Sequence, residues 1–416
     1  MPGESFLPIV PLPLCRAKDE ALQAATSGRR DAFDTENVPQ ASRLLEHLVQ
    51  MLDIETERQA FLDAPIGGRT PSIFCGHIEQ IKDKIAEWFE LKRELSPTAL
   101  QTLAECRYIF LLERVFGIRD ARMADDTPDP MDRGGLIHSI LREIYNAVAL
   151  GECGIDAPRY WAVKTAAGWI KRTDAGVDAI PLAAFVPEYG KEYMAFAKRI
   201  ASERMDAAHL GHPGVWKAER QKILEIILNF IRHDIETCAP ENRFPALFEL
   251  KFGGDTAVDL GEVRLHGIID RVDLIFTDTG NLQKVRVLDY KGSSRKHSKR
   301  EEYVDDICRN LDCQLPVYAF AAQQFFFGAF NTPELNAMTE AAYCFYDREF
   351  SKIGSALEKS TVSMDEPDLL EAFLATLYQN IRRLKAGDFA VDPLIETYND
   401  YSSVCRTEAV AREDLE

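Results

Sequence analysis

The sequence lacks the features that define several large classes of protein. No stretch is long and uncharged enough to cross a membrane, and the first residues offer neither the basic segment nor the apolar run of a secretory signal. No G-x-x-x-x-G-K-[ST] motif occurs, so we do not expect this chain to bind ATP through a P-loop. The nine cysteines are an odd number scattered without a paired framework, which fits a reducing cytoplasm. We therefore expect a cytoplasmic protein that does not enter a membrane.

Positive charge is also scarce. The chain has 49 Lys and Arg against 67 Asp and Glu, a formal net charge of −18. This balance argues against a protein that coats nucleic acid non-specifically, because phosphate binding requires local Lys and Arg. One basic cluster nevertheless lies at the end of the stretch described next and beyond it, and taken alone it favours a solvated loop. Its members are Lys291, Arg295, Lys296, His297, Lys299 and Arg300.

The most informative stretch runs from Arg264 to Lys291 and predicts a β-hairpin. Two runs rich in Ile, Val, Leu and Phe flank the turn-forming residues 277–281. A turn centred between residues 279 and 280 places Asp270 directly opposite Asp289, with their Cβ atoms about 5 Å apart. A slip of one residue would turn the apolar side chains to the other face, so the pattern supports this register. The other opposed pairs on this face are Ile268 with Lys291, Val272 with Val287, and Leu274 with Val285.

This register gathers two carboxylates and an ammonium group at one end of an apolar face. Two adjacent buried carboxylates repel each other unless a proton or a cation lies between them, and oxygen ligands at this spacing suit Mg²⁺ or Mn²⁺. Lys291 would supply positive charge to an attacking hydroxide or a developing phosphorane. The alternative is a surface hairpin in which Asp270, Asp289 and Lys291 form solvated ion pairs, and the D-x-K tripeptide alone favours it.

The segments GIIDRVDLI and VRVLDYKGS resemble the metal-binding core of the PD-(D/E)XK nucleases. More narrowly, they resemble the RecB/AddB-type nuclease domains, whose pattern is G-x-[IV]-D-x-[IVL] followed by a hydrophobic strand ending in D-Y-K. The resemblance implies an α/β fold with a restriction-endonuclease-like core, a mixed sheet of about five strands flanked by helices. We expect a helical N-terminal segment over residues 1–93 and a nuclease domain over 94–416. A mostly helical insertion is expected at about residues 151–243.

Two further residues match the family's metal-proximal positions. RGGLIHSIL predicts the start of a helix and is similar to the family's G-x-x-x-H-x-x-L helix, in which the His points at the metal; the matching residue is His138. The alternative is a structural His on an apolar helix. PALFELKF reads as the first strand of the sheet, and Glu249 matches a metal-proximal Glu, although it is equally an exposed strand residue. Asp273 lies on the opposite strand face from Asp270, so we expect it to pair with Arg271 or Arg286.

A helix is predicted over Asp306–Phe327, where Gln314 and Tyr318 are four apart and share a face. This helix resembles the family's Q-L-x-x-Y helix, in which the Gln lies near the catalytic Lys and the DNA backbone. Pro316 should bend the helix unless it lies in the first turn. Upstream, Ser96 and Pro97 form a helix start signal.

The cysteines depart from the iron–sulfur members of the family. Cys106 matches the first cluster ligand, with Arg107 where the family has Pro, and Cys405 matches the last. The two remaining ligand positions align with Glu396 and Asn399. A cubane cluster needs four ligands, so we expect no iron–sulfur cluster and take Cys106 and Cys405 as remnants. For Cys106 the alternative is a buried core thiol.

The resemblance implies a divalent-metal-dependent DNA nuclease, expected to be an exonuclease, acting on single- or double-stranded DNA in repair or recombination with a helicase subunit as partner. The rival reading is a non-catalytic DNA-binding or scaffold subunit of a helicase–nuclease complex, and a site-specific endonuclease ranks last. The expected metal ligands for Mg²⁺ or Mn²⁺ are His138, Glu249, Asp270, Asp289 and the carbonyl of Tyr290. The expected catalytic residues are Lys291, Asp289, Asp270 and Gln314. The expected DNA-binding residues are Arg295, Lys296, Lys299, Arg300 and Tyr318.

Overall fold

The structure is a computed structural model, and it describes most of the segment that carries the predicted strands. The described residues are 47, 50–60, 77–92, 94–118, 130–149, 161–165, 168–173, 176–177, 185–208, 210–278, 282–292, 297, 299–328, 339–346 and 357–389. The chain divides into two compact units, residues 84–385 and residues 1–83 with 386–416. No helix among the described residues has the length and apolarity needed to span a membrane.

The helices and strands named below lie in the larger unit, except that the first helix begins two residues before it. In chain order, the helices are α1 (Lys82–Lys92), α2 (Pro97–Glu105), α3 (Arg107–Phe110), α4 (Pro130–Ala149), α5 (Gly190–Ala207), α6 (Pro213–Cys238), α7 (Arg300–Cys308), α8 (Gln314–Phe327) and α9 (Pro367–Lys385). The strands are β1 (Glu94–Leu95), β2 (Trp161–Thr165), β3 (Gly168–Thr173), β4 (Gly176–Val177), β5 (Arg243–Phe252), β6 (Val258–Asp259), β7 (Arg264–Leu265), β8 (Gly267–Phe276), β9 (Leu282–Lys291), β10 (Thr339–Phe345) and β11 (Val362–Ser363).

The centre of the larger unit is a five-stranded mixed sheet in the order β11-β10-β9-β8-β5. β8 pairs antiparallel with both β5 and β9, β10 pairs parallel with β9, and β11 is antiparallel to β10. The parallel pair needs a crossover connection, and α7 and α8 lie in the chain between β9 and β10. A mixed sheet flanked by helices is the architecture expected from the resemblance, and the structure confirms it.

Over Arg271–Ile275 the hairpin formed by β8 and β9 has the register predicted from the sequence, and it shifts by one residue at Phe276, which pairs with Leu282. The predicted pairs of Asp270 with Asp289 and of Ile268 with Lys291 lie beyond the paired residues. Val272 lies opposite Val287 and Leu274 opposite Val285, and all four side chains are fully buried. The regular pairs begin at Arg271, one residue after Asp270. The apolar row therefore lies in the protein interior, and the carboxylates lie at the open end of the hairpin.

The other face of the hairpin carries a buried network of charged groups. Arg271 donates from Nε to Asp273 Oδ1 at 2.5 Å and from Nη1 to the hydroxyl of Tyr145 at 2.9 Å. Arg243 donates from Nη1 to Asp273 Oδ2 at 2.9 Å and to Asp234 Oδ1 at 3.3 Å. Of the two expected partners of Asp273, Arg271 is confirmed. Arg243 and Asp234 were not predicted, because they lie on β5 and α6, far from Asp273 in the sequence.

The predicted helix over Asp306–Phe327 is two helices, α7 and α8, separated at residues 309–313. Asn310 has a positive φ of 58°, which ends the first helix. Pro316 is the third residue of α8 and so lies in its first turn. Backbone N–H groups in the first turn have no intrahelical acceptor, so the missing N–H of proline costs no hydrogen bond there. The prediction of one continuous helix is wrong because the ring of Pro316 blocks the upstream turn.

The segment expected to be a mostly helical insertion contains α5 and α6, but it also contains strands. β2, β3 and β4 form a three-stranded antiparallel sheet that helical periodicity did not predict. Near the N-terminus of the larger unit, Ser96 caps α2 as expected, accepting from the N–H of Ala99 at 3.2 Å.

In the smaller unit, residues 50–60 are helical and His77 forms an isolated bridge with Asp388. The N–H of Ile78 donates to the carbonyl of Gly387 at 2.7 Å. Gly387 has a φ of 77°, and a Cβ there would lie 2.5 Å from the carbonyl oxygen of Ile78, so only glycine fits. The expected division into residues 1–93 and 94–416 stays a prediction.

Candidate active site

The candidate site lies where β8 and β9 stop pairing. The N–H of Tyr290 donates to Oδ2 of Asp270 at 2.9 Å, so the Asp270 side chain takes the place of a strand carbonyl in the ladder. Asp270 is thereby bound to the residue that lies between Asp289 and Lys291. The Tyr290 side chain points to the opposite face and is buried, with its ring in edge contact with Phe230 at a centroid distance of 5.5 Å.

Asp289 is the buried carboxylate of the site, with 4% of its surface exposed. Lys291 Nζ lies 2.5 Å from its Oδ2, and this ion pair is the close cationic contact of the buried oxygen. Burial raises the pKa of Asp289 from 3.8 to about 6; the charge of Lys291 opposes this rise and the charge of Asp270 adds to it. Such a carboxylate is ready to hold a proton or accept a cation.

Lys291 is held from the side of α8. Its Nζ donates to Oε1 of Gln314 at 2.8 Å and lies 5.2 Å from the centre of the Tyr343 ring. The structure thus brings together Gln314 and Lys291, which are 23 residues apart in the sequence. The ammonium group has a defined position next to the carboxylates, while a quarter of the side chain stays exposed.

His138 projects from α4 to the same point. Its Nδ1 lies 3.4 Å from Oδ1 of Asp270, and its ring packs edge-on against Tyr290 at 5.4 Å and Tyr346 at 6.1 Å. Burial by itself would lower the pKa of His138, but the hydrogen bond to Asp270 and the charges of Asp270 and Asp289 raise it overall. His138 therefore lies beside the carboxylate pair, as the helix motif predicted.

Glu249 lies next to Asp270 across the sheet, but its carboxylate has another partner. Phe248 pairs with Arg271 and Leu250 with Ile269, so Glu249 is opposite Asp270 in the register of β5 and β8. Glu249 has a φ of 52°, unusual for a residue with a side chain, and its Oε2 forms an ion pair with Nη1 of Arg142 on α4. Arg142 was not predicted, although it lies four residues after His138 and hence on the same helix face.

The predicted DNA-binding residues are dispersed. Arg295 and Lys296 lie outside the described residues, and Lys299 is exposed at the start of α7. Arg300 donates to the carbonyl of Thr361 and forms an ion pair with Glu366 at 2.6 Å.

Tyr318 is only 6% exposed, and it packs edge-on against Phe252 at 6.1 Å. Burial raises the pKa of the Tyr318 phenol well above its ordinary value. In this conformation Arg300 and Tyr318 are engaged with the protein itself.

Of the two cysteines that match cluster ligands of the family, the structure describes only Cys106. Cys106 is a free thiol with 3% of its surface exposed. Cys405 and the aligned Glu396 and Asn399 lie outside the described residues. The expected loss of an iron–sulfur cluster therefore stays a prediction.

The donor set fits a hard divalent cation in its chemistry. Asp270 and Asp289 present carboxylate oxygens at one point, and burial and the charge of Asp270 raise the pKa of Asp289. In the part of the chain that the structure describes, no three His, Cys, Asp or Glu side chains converge closely enough to hold a metal ion. The third carboxylate, Glu249, is drawn to Arg142.

Comparisons with known proteins agree with this geometry. A sequence profile described as the PD-(D/E)XK nuclease superfamily matches residues 94–407, about three quarters of the chain. A search of curated proteins matched none. The matched range contains every strand of the five-stranded sheet and all the residues placed in the candidate site. The chain therefore belongs to the PD-(D/E)XK nuclease superfamily, whose members are nucleases and typically use divalent metals.

Proposed function

We propose that this chain is a divalent-metal-dependent deoxyribonuclease that hydrolyses phosphodiester bonds. One observation carries the proposal: Asp270, Asp289 and Lys291 meet where the β8–β9 ladder opens, and the charge of Asp270 adds to the effect of burial in raising the pKa of Asp289. Two carboxylates in this arrangement repel each other unless a proton or a cation lies between them. A cation that binds both carboxylates would remove that repulsion.

In this proposal Mg²⁺ or Mn²⁺ is held by Asp270 and Asp289. The carbonyl of Tyr290 and the side chains of His138 and Glu249 are the further candidate ligands. When bound, the ion supplies Lewis-acid stabilisation of phosphate charge and lowers the pKa of a water molecule. Asp270 can serve in this role without losing its position, because the N–H of Tyr290 holds only its Oδ2.

Lys291 supplies the positive charge of the site, and Gln314 fixes its direction. The attacking water oxygen forms a bond to phosphorus while the bond to the leaving ester oxygen breaks, and negative charge grows on the non-bridging oxygens. The Lys291 ammonium group is next to the carboxylates and can stabilise that charge. The hydrogen bond to Gln314 fixes the rotamer of Lys291 before substrate binds. The lysine therefore loses less conformational entropy at each turnover.

The narrower features of the proposal rest on the resemblance of GIIDRVDLI and VRVLDYKGS to RecB/AddB-type domains. These features are exonuclease action, a role in DNA repair or recombination in the cytoplasm, and a helicase partner that supplies the motor. Contacts with the DNA backbone are proposed for Arg295, Lys296 and Lys299. Arg300 and Tyr318 would join them only after leaving their present partners.

The second candidate function is a non-catalytic DNA-binding or scaffold subunit of a helicase–nuclease complex. Two observations favour its scaffold form: the net charge of −18, and the ion pair of Arg300 with Glu366, both of which reduce the positive charge offered to phosphate. A subunit of either form would not cleave DNA.

The deciding experiment compares wild type with Lys291→Ala on linear single- and double-stranded DNA and on circular DNA. Each reaction is run in Mg²⁺, Mn²⁺ and EDTA. Lys284→Ala is the matched control, because Lys284 also pairs with a carboxylate, Glu340, but lies roughly 20 Å away along β9.

The nuclease proposal expects cleavage by wild type and the control, loss in Lys291→Ala, and none in EDTA. An exonuclease would spare the circle. Equal cleavage by all three proteins would mean that Lys291 does not act in the reaction. DNA binding without cleavage by any of them would favour the non-catalytic subunit.

A further inference from the structure

Two successive turns of α4 contact two carboxylates that lie side by side in the sheet. His138 approaches Asp270 on β8 with 3.4 Å between Nδ1 and Oδ1. Arg142, one turn later, forms an ion pair with Glu249 on β5. Asp270 and Glu249 are opposite each other in the β5–β8 register. One face of a single helix therefore contacts both carboxylates.

The backbone at Glu249 departs from strand geometry. Its φ of 52° interrupts an otherwise extended strand, and the only other described non-glycine residues with positive φ are Asn242 and Asn310. Asparagine tolerates this conformation through its short polar side chain, whereas glutamate has no such compensation. Strain of this kind persists when surrounding contacts hold it; ladder pairs of Phe248 and Leu250 with β8 flank Glu249, and its carboxylate contacts Arg142.

The pair is nevertheless easily exchanged. The Arg142 and Glu249 side chains keep 39% and 32% of their surface exposed, so water screens the interaction. Arg142 cannot lose its proton, so it can yield Glu249 to another cation only by moving out into solvent. Its exposure allows that movement without opening the core.

We propose that Arg142 is a positioning residue that occupies Glu249 until a divalent cation binds, and thereby sets the metal affinity of the site. This inference rests on the proposed function. Three carboxylates, Glu249, Asp270 and Asp289, face two permanent side-chain cations, Arg142 and Lys291. Lys291 is anchored by Gln314, so Arg142 is the cation that a metal ion displaces. Removing the charge at position 142 releases Glu249 to the metal and tightens binding.

The test measures Mn²⁺ binding to the full chain without DNA, from the loss of the electron paramagnetic resonance signal of free Mn²⁺. Arg142→Gln should lower the Kd on the order of fivefold, the effect expected from removing a half-exposed competing ion pair. Arg142→Lys, which keeps the charge, should bind like wild type. Glu249→Gln should weaken binding, and adding Arg142→Gln to it should change nothing further. Arg199→Gln removes an exposed ion pair with Glu203 on α5 and is the control.

Melting temperatures in EDTA identify any variant that fails to fold, and Arg142→Ala then replaces Arg142→Gln. Unchanged or weaker Mn²⁺ binding by Arg142→Gln would overturn the inference, as would tighter binding that persists in the Glu249→Gln background. Asp270→Asn separates this result from the proposed function. Binding that is lost in Asp270→Asn but unaffected at position 142 overturns only the role of Arg142. Absence of Mn²⁺ binding in wild type overturns the metal site itself.

Discussion

Replacing Asp289 by asparagine should stabilise the metal-free protein at neutral pH. Burial raises the pKa of this carboxyl from 3.8 to about 6. As the pH rises, the unfolded chain ionises first and the folded protein later, so stability is lost between about pH 4 and pH 6. One unit of pKa difference corresponds to about 1.4 kcal/mol, so the ionisation of Asp289 lowers the free energy of unfolding by about 3 kcal/mol above pH 7.

The expected gain of Asp289→Asn is about 1–3 kcal/mol above pH 7, falling toward zero near pH 4. The upper value is reduced because Lys291 loses its ion-pair partner, although it keeps Gln314 and its exposure to water. The measurement is urea or thermal unfolding across pH 4–8 in EDTA. A variant that is less stable than wild type at pH 8, or a difference that does not change with pH, would refute the reasoning.

Asp273→Asn is the matched control, because it changes a second buried aspartate whose pKa is shifted in the opposite direction. Burial by itself would raise the pKa of Asp273, but the charges of Arg271 and Arg243 lower it. Its ionised form therefore stabilises the fold at neutral pH, and that stability is lost as the pH falls through the folded pKa. Breaking this buried network should cost about 3–5 kcal/mol at pH 7. The two aspartates should thus give opposite signs.

Three further predictions concern the site and the fold. Mg²⁺ at a hundredfold excess over its Kd should stabilise wild type by about 2.7 kcal/mol, and Asp270→Asn should remove this gain. Melting temperatures measure it, and an equal rise in both proteins would place the ion elsewhere. Gln314→Ala should lower kcat about ten- to hundredfold with little change in KM, because Lys291 loses the contact that orients it; steady-state cleavage rates test this, and an unchanged kcat would contradict it. Ser96→Ala should destabilise by about 1 kcal/mol through loss of the α2 cap, measured by urea unfolding, and no change would mean that water replaces the cap.

The core of the site was predictable because its information is local. Alternating apolar residues determine the β8–β9 register, and Asp270 lies one residue beyond its last described pair, where its carboxylate accepts from the N–H of Tyr290. The start of α2 and the position of Pro316 follow from equally short signals. In each case, residues close in the chain decide the outcome through hydrogen bonds and strand periodicity.

One failed prediction had a local signal, because the break between α7 and α8 follows from Pro316, whose effect on the preceding turn was underestimated. The other failures concern residues that no local pattern connects. The small β2–β4 sheet and the ion pair of Arg300 with Glu366 involve partners that the sequence does not identify. A basic residue in a charged run is equally suited to phosphate and to a carboxylate of its own chain.

By itself, the sequence determined the strand pair, the faces of its side chains and hence the meeting of two carboxylates with a lysine. Only the tertiary structure decided which groups surround them. The packing of α4 along the sheet brings Arg142 to Glu249, and α8 brings Gln314 to Lys291. Asp234 and Arg243 complete the buried network behind Asp273 in the same way. The physical reason is that side-chain periodicity specifies a face, whereas the partner on that face depends on how distant elements pack.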